Sequence, residues 1–260
     1  MIQIDRETCA RCGLCAANCC VHAIYQREDG SYACRSSLCF HCAQCVAICP
    51  TGAVSEPDLP PPVEYDSARF DISPENLLNT MRFRRSVRRF TGAKVSREEL
   101  EKLLEAGRCA PTSSNSQTVV RFTVLDREFE ALRPRIWESF AALCEERGQK
   151  LLLRRYQNYL RHPDQPDALF YGANQMVTVT SALAVDGALA LANMELLAHT
   201  MGLGALYCGF AVRAIQRDEA LRETFGVTQT QQLIGCLLLG RTDLKFYRTA
   251  PRNPANVQWK

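Results

Sequence analysis

The sequence predicts an α+β protein of two domains, and three observations support this prediction. Ten of the 14 cysteines lie within the first 50 residues of the 260-residue chain, so a small cysteine-rich domain precedes a larger one. A proline-rich stretch, EPDLPPP, begins at Glu56. After it, helical and strand patterns occupy well-separated segments, which is typical of helices layered on a sheet.

Composition excludes several classes of protein. With 47% hydrophobic and 23% charged residues the chain is globular rather than disordered, and a net charge of +3 favours neither nucleic acid nor membrane as a partner. The first ten residues lack the pattern of a secretory signal. The longest apolar stretch, from Met176 to Met194, is interrupted by Asp186 and is too polar for a membrane span. We therefore expect a cytoplasmic protein whose cysteines bind metal.

Eight of the N-terminal cysteines form two runs thirty positions apart, each with the spacing C-x2-C-x2-C-x3-C. The similarity continues from Ala23-Ile24 to Ala53-Val54, so the segment is an internal duplication. Three closely spaced thiolates suit three corners of an Fe4S4 cube, while the fourth cysteine, one helical turn away, ligates the other cluster. On this rule the first cluster is bound by Cys9, Cys12, Cys15 and Cys49, and the second by Cys39, Cys42, Cys45 and Cys19.

A structural zinc site is the alternative, but zinc usually takes two C-x2-C pairs separated by a longer loop. Residues 1–56 resemble the bacterial ferredoxins with two [4Fe-4S] clusters, which implies a domain that transfers single electrons. Two cysteines depart from the pattern. Cys20 stands where proline is usual and, in a strained fold, could replace Cys19 as a ligand, whereas Cys34 has no ligand role. We expect both to be small buried or loop residues.

Residues 57–72 are predicted to be a linker, because three consecutive prolines favour an extended polyproline segment without ladder hydrogen bonds. The second domain is predicted to cover residues 73–260.

Start signals mark two helices in the second domain. Ser73 and Pro74 are a cap and a first-turn proline, and Ser96 with Glu99 forms a capping box. Their predicted apolar faces are Leu77, Leu78 and Met81 in the first helix, and Leu100, Leu103 and Leu104 in the second. Strands are predicted at 119–125, 176–180 and 233–239, and a long helix at 182–200 that stops at Gly202.

An arginine-rich run, RFRRSVRRF, follows the first of these helices. Alternate residues Arg84, Ser86 and Arg88 would share one side of an extended turn and suit a phosphate and a polyol. A solvated face or a nucleic-acid patch would use the same residues, but no aromatic platform or second basic stripe supports nucleic acid.

Three further motifs are less specific. The loop APTSSNSQ at 110–117 has neutral donors and acceptors that suit the edge of a flat heteroaromatic ring, although an ordinary loop has a similar composition. Glycines at 202, 204 and 209 allow close approach of the backbone to a ligand, without the GxGxxG pattern of a Rossmann site. Candidate phosphate ligands near the C-terminus are Arg241, Lys245, Arg248 and Arg252.

Taken in order, these motifs resemble the nitroreductase family of FMN enzymes over about Leu77 to Trp259. The resemblance implies a homodimer and a mixed sheet flanked by helices. It also implies that the arginine run contacts the FMN phosphate and ribityl chain, that the 111–117 loop reaches the partner's FMN, and that residues 208 and 209 lie near flavin N5. The implied FMN contacts are Arg84, Arg85, Ser86, Arg88, Pro111, Thr112, Ser113, Asn115, Gln117, Cys208, Gly209, Arg248 and Arg252. Departures from the family pattern are Thr112 for serine, and Thr118 and Asn174 for proline.

The two halves together predict an enzyme. Two [4Fe-4S] clusters would relay single electrons from a ferredoxin or NAD(P)H to FMN, and flavin N5 would deliver a hydride to a nitroaromatic, quinone or activated alkene. No side chain is an obvious catalytic acid, so protons are expected from water or from the flavin. The insertion at 137–167 is expected to cover the flavin face. The alternative is an electron-transfer or redox-sensing protein without an organic substrate of its own.

Overall fold

The computed structural model describes residues 1–117 and 120–260. Their contacts divide the chain into two compact units: Met1–Asp71 with Ser113–Ser116, and Ile72–Thr112 with Gln117–Lys260. The proline-rich residues up to Asp71 therefore belong to the first unit. Within the described ranges, no helix combines the length and the apolarity needed to span a membrane.

The first unit is built twice from the same short elements. Strand β1 (Gln3–Ile4), helix α1 (Leu14–Ala17) and strand β2 (Ile24–Gln26) are followed by β3 (Tyr32–Cys34), α2 (Gln44–Ala47) and β4 (Val54–Ser55). The strands pair antiparallel, β1 with β4 and β2 with β3, so each half lends one strand to the other's sheet. Helix α3 (Ser67–Phe70) follows. The core of this unit is small. Ile2, Cys15, Ile24 and Val54 form its buried cluster, and three alanines at 23, 33 and 53 are also buried, which leaves much of the stability to other interactions.

The second unit opens with the two helices that the start signals predict. Helix α4 spans Pro74–Phe83, with the Ser73 hydroxyl accepting from the Asn76 amide, and α5 spans Arg97–Arg108 with a complete capping box. In α5, Leu100 and Leu103 are buried. In α4 the predicted apolar face stays exposed to between 36% and 46% in Leu77, Leu78 and Met81, so the described part of the chain covers this face only in part.

The larger sheet consists of β5 (Val120–Leu125), β6 (Gln175–Ser181), β7 (Gly204–Tyr207) and β8 (Gln232–Gly240) in the order β5-β6-β8-β7. Thr118 and Val119, which the prediction placed before and at the start of the first strand, lie outside the described residues. The α+β class is confirmed. The prediction of a mixed sheet was wrong for the described strands, whose pairings are all antiparallel. The reason is that β6, helix α8 (Ala184–Thr200) and β7 form a crossover, but β8 inserts between the two strands that would otherwise pair in parallel.

Helices cover both faces of this sheet. Helices α6 (Phe129–Glu146), α7 (Lys150–Arg161), α9 (Gly209–Arg217) and α10 (Glu219–Thr224) complete the chain. Alternate strand residues divide between two cores, one shared with α6 and α9 and one shared with α5 and α8. The long helix α8 begins two residues later than predicted and is followed by Gly202 at φ 71°. This packing fixes the ends of β7 and α9, where the site of the second unit lies.

Candidate functional site

The two cysteine runs adopt the same backbone conformation. Arg11 and Gly13 in the first run have φ of 55° and 77°, and His41 and Ala43 in the second have φ of 52° and 55°. A left-handed residue at every second position turns successive amides toward one concave side, as in anion-binding nests. The loops are therefore shaped in the same way, even where alanine replaces the glycine that this φ favours.

Each run borders one cavity of the first unit. The cysteines at the first cavity are Cys9, Cys12, Cys15 and Cys49, and those at the second include Cys39, Cys42, Cys45 and Cys19. The fourth cysteine of each run thus lies at the cavity of the other run. It does so because α1 and α2 each carry the chain one turn away from their own loop.

The cysteines are thiols with unequal surroundings. In the part of the chain that the structure describes, none of the 14 forms a disulfide, and no group of three or more His, Cys, Asp or Glu side chains is arranged to hold a metal ion. Burial raises the pKa of the Cys15 thiol and raises that of Cys45 to about 11. Burial acts in the same direction on Cys49, but hydrogen bonds from Thr51 and nearby amides outweigh it and lower the pKa of this thiol.

Backbone amides already donate to two of these sulfurs. The Ala23 amide lies 3.2 Å from Cys19 Sγ, and the His41 amide lies 3.3 Å from Cys39 Sγ. Such N–H donors stabilise negative charge on sulfur, as they do around cysteine-ligated clusters. Cys20 and Cys34, which the motif left without a role, also line the second cavity, Cys20 at its exposed rim.

In the second unit, one pocket forms where β7 meets the start of α9; we call it the Cys208 pocket. It is lined by Arg88, Leu169, Tyr171, Leu206, Tyr207, Cys208, Gly209, Phe210 and Arg213. Three residues predicted from sequence, Arg88, Cys208 and Gly209, therefore come together here. The Val87 and Phe90 amides donate to the carbonyls of Ala205 and Tyr171 at 3.0 Å, and these bonds hold the arginine run beside β7.

The Cys208 pocket is electropositive and open over its backbone. Arg88, Arg213 and the amino end of α9 supply positive charge. A Cβ built on Gly209 would meet no heavy atom within 4 Å, so a flat ring has room to approach this peptide. Cys208 itself is buried, and burial raises the pKa of its thiol to about 11. It is therefore a neutral group rather than a nucleophile.

Tyr171 and Arg213 are among the residues of this pocket that sequence reasoning missed. Tyr171 has φ 56° without being glycine, a strained conformation of the kind that collects at functional sites. Arg213 lies four residues after Gly209 on α9, so helical spacing alone places both on one face. That spacing was a signal available in the sequence.

Arg84 and Arg85 line a different pocket, which we call the Glu195 pocket. Its other residues are Phe83, Val87, Glu195, His199, Gly202, Leu203, Ala205, Thr242, Leu244 and Phe246. The Arg84 guanidinium donates to the buried carboxylate of Glu195. Burial raises the pKa of Glu195 although Arg84 opposes this, and burial together with the charge of Arg84 lowers the pKa of His199. Among the described residues, Ser86 lines neither pocket.

The structure therefore places Arg84 and Arg88 at different pockets. Glu195 was missed in the sequence, although a single glutamate within the apolar run of α8 was a visible signal.

Replacing Arg84 by alanine is expected to destabilise the fold by about 2 kcal/mol at pH 8, because it leaves the Glu195 carboxylate buried without a partner. The loss is expected to shrink toward pH 5. Burial already holds the folded pKa of Glu195 above its unfolded value, so the native state retains a proton that the unfolded state has released, and stability falls as pH rises through this window. Urea unfolding at pH 5, 7 and 8 measures the effect.

The R84A/E195Q double variant is the control, and it should recover most of the loss at pH 8. A loss that is independent of pH, or that persists in the double variant, would show that Glu195 is not the source.

The 111–117 loop is divided between the units. Ser113–Ser116 belongs to the first unit, where the Asn115 side-chain amide donates to the His41 carbonyl at 2.7 Å. Ser114 and Asn115 have φ of 50° and 56°. Thr112 is half-buried, and its hydroxyl finds no hydrogen-bond partner in the described ranges. Pro111 and Gln117 are exposed.

The C-terminal arginines differ from one another. Arg248 and Arg252 are exposed in an irregular segment that follows β8. Arg241 instead holds both carboxylate oxygens of Glu99 at 2.7 and 2.8 Å. It is therefore part of the packing that anchors α5, and the structure does not bring Arg248 or Arg252 to either pocket of the second unit.

A sequence profile described as "Nitroreductase family" matches residues 81–241, which is more than half of the chain. The chain belongs to the nitroreductase family. The match covers the arginine run, the 111–117 loop, the Cys208 pocket and most of the Glu195 pocket, whereas the cysteine runs, Arg248 and Arg252 lie outside it.

Relatives of this nitroreductase-family chain include an NADPH-flavin oxidoreductase from Vibrio harveyi, 29% identical over 186 residues, or 70% of this chain and 72% of the relative. A nitroreductase from Bacteroides fragilis solved with bound FMN shares 24% identity at a TM-score of 0.57, over 70% of this chain and 97% of its own. One from Desulfitobacterium hafniense, also with bound FMN, shares 22% identity at a TM-score of 0.53 with the same coverage. The two structures support the fold of the second unit, and family membership makes the chain a nitroreductase-like oxidoreductase.

Proposed function

We propose that this protein is an FMN-dependent oxidoreductase that reduces a small acceptor by two electrons, with two [4Fe-4S] clusters in its N-terminal unit as the inlet for electrons. The observation that carries the proposal is the pair of cavities, each bordered by three cysteines of one run and the fourth of the other. This arrangement supports the interleaved ligand sets.

The cysteines fit a cube better than a single ion. In a cube each thiolate binds a different iron, so four sulfurs surround a cavity instead of converging on one point. The cysteines surround the two cavities in this way. The amides of Ala23 and His41 already donate to cysteine sulfurs, as amides do around clusters. Because burial holds the thiols of Cys15 and Cys45 protonated, loading the clusters must displace their protons. The clusters would supply one-electron transfer.

The Cys208 pocket fits a flavin. FMN, when bound, exchanges electrons singly or in pairs and passes a hydride to the acceptor. The open peptide of Gly209 offers a surface for a flat ring, and Arg88 and Arg213 would stabilise negative charge on it. Leu206, Tyr207 and Phe210 supply apolar walls that limit the access of water.

The other FMN contacts that the family resemblance implies remain proposals. Arg84 and Arg85, which line the Glu195 pocket, would bind the FMN phosphate, and the ion pair with Glu195 would hold Arg84 in place. Ser86, the 111–117 loop, Arg248 and Arg252 would approach from segments that are partly or fully exposed.

A homodimer would cover the apolar faces that one chain leaves exposed. Leu77, Leu78 and Met81 on α4 are joined by Val185 and Leu189 on α8, which are 68% and 39% exposed. Helix α4 packs on α8, so these residues belong to neighbouring helices. A helix as apolar as α8 is normally buried on all sides. A second copy of the chain is the proposed cover.

The donor is proposed to be a reduced ferredoxin or NAD(P)H, and the acceptor a nitroaromatic, a quinone or an activated alkene. The relative from Vibrio harveyi is named as an NADPH-flavin oxidoreductase, which supports a nicotinamide as one route to the flavin.

Anaerobic purification with counts of iron, sulfide and FMN tests the proposal. We expect about eight iron atoms, about eight sulfides and about one FMN per chain. Steady turnover of a quinone or nitroaromatic should follow addition of NADPH or a reduced ferredoxin. Loaded cofactors without turnover of any acceptor would favour the redox-sensing alternative, and absence of iron would refute the inlet.

A further inference from the structure

The two cavities of the first unit correspond position by position. Most wall residues of one cavity have a counterpart thirty positions away at the other. The strand pairings follow the same rule, because Ile4 pairs with Val54 in one sheet and Cys34 pairs with Ile24 in the other. The first cavity is thus an internal reference for the second.

Several equivalent wall positions differ between the cavities in chemistry, and two of these differences bring a thiol to the second cavity. Ile4, Pro50 and Thr51 at the first cavity correspond to Cys34, Cys20 and Val21 at the second. Cys20 is exposed, whereas Cys34 is half-buried on β3. The second cavity therefore gains one inward thiol where the first has an aliphatic side chain.

Cys34 lies against the cysteines of the proposed second ligand set. It packs with Cys19, Cys39 and Cys45 around the small core of the unit. Cys34 and Cys39 line the same cavity. Because the repeat already supplies four ligands at this cavity, the thiol of Cys34 is left over as a donor.

We propose that Cys34 is a positioning and tuning residue for the second cluster, whose S–H donates to a ligand sulfur and raises the reduction potential above the value that isoleucine would give. The inference rests on the proposed clusters. A hydrogen bond to a ligand sulfur stabilises the more negative, reduced state, and S–H is a weak donor. The two clusters of this duplicated unit would then differ in potential, with part of the difference set at the strand position of Cys34.

The test compares full-length, anaerobically loaded wild type with Cys34→Ala, Cys34→Ser and Ile4→Cys. Iron and sulfide counts come first, followed by redox titrations monitored by electron paramagnetic resonance. Cys34→Ala should keep about eight iron atoms. It should lower the reduction potential of the second cluster by about 59 mV, which is a tenfold change in the equilibrium constant for its reduction. Ile4→Cys should raise the potential of the cluster in the first cavity and leave that of the cluster in the second cavity unchanged. Cys34→Ser should keep a raised potential, since its hydroxyl still donates.

Each outcome decides a separate question. Wild type without about eight irons would refute the proposed clusters themselves. Full iron in Cys34→Ala with both potentials unmoved would overturn the role of Cys34 alone. Loss of half the iron from both Cys34 variants would make Cys34 a ligand and also overturn it. If only Cys34→Ala loses iron, the potential of the second cluster in Cys34→Ser becomes the test. A value below that of wild type overturns the proposal.

Discussion

Replacing Cys42 by serine is expected to halve the iron, from about eight atoms per chain to about four. The thiolate is the ligand that a cube requires, and the remaining core of Ile2, Cys15, Ile24 and Val54 is too small to hold the unit together unaided. The first unit should therefore also unfold at lower temperature. Iron and sulfide analysis with a thermal scan of the loaded protein measures both effects.

The same measurement can separate interleaved ligand sets from sequential ones. In the interleaved arrangement, Cys19→Ser and Cys39→Ser remove the same cluster and leave identical residual spectra. Cys9→Ser and Cys49→Ser should both remove the first cluster and leave the spectrum of the second. Cys20→Ser is the matched control, because it replaces an exposed cysteine beside Cys19 and should keep all the iron. If Cys19→Ser instead matched Cys9→Ser, each run would bind its own cluster.

Local signals in the sequence predicted the elements well. The cap at Ser73, the capping box at Ser96 and Glu99, and the stop at Gly202 mark helix ends in the structure. Such signals depend on residues a few positions apart, whose hydrogen bonds form within one turn. The direction of strand pairing was not predictable in this way, because the insertion of β8 between β6 and β7 depends on contacts across the whole second unit.

The candidate sites divide along the same line. The duplication of the cysteine runs is local and periodic, and its eight cysteines border the two cavities as the repeat suggests, but the repeat did not predict that Cys20 and Cys34 line the second cavity as well. The Cys208 pocket joins Arg88 to residues far along the chain, from Leu169 to Arg213. These residues come together because the arginine run hydrogen-bonds to β7 and to the carbonyl of Tyr171. Glu195 shows the limit most clearly, since its partner Arg84 becomes evident only when α8 packs beneath the run.

Loss of both clusters is expected to slow reduction of the acceptor by a one-electron, low-potential ferredoxin by at least about 100-fold, which corresponds to about 2.7 kcal/mol in the activation barrier. The variant is Cys12→Ser/Cys42→Ser, which removes one ligand from each proposed set. Turnover with NADPH should be largely retained, because a nicotinamide would reach the flavin through the second unit, whose residues are untouched. Stopped-flow and steady-state assays under anaerobic conditions, with equal FMN content in both proteins, measure the two rates.

The rate with NADPH distinguishes loss of the electron inlet from general damage to the protein. Misfolding or loss of FMN would depress both rates together, whereas loss of an electron inlet depresses only the rate that starts from a single-electron donor. Cys20→Ser again serves as the control for a cysteine replacement that spares the ligands. If the double variant accepted electrons from ferredoxin as fast as wild type, the clusters would not be the inlet, and a redox-sensing role would become the better explanation for a cysteine unit carried by a nitroreductase-family chain.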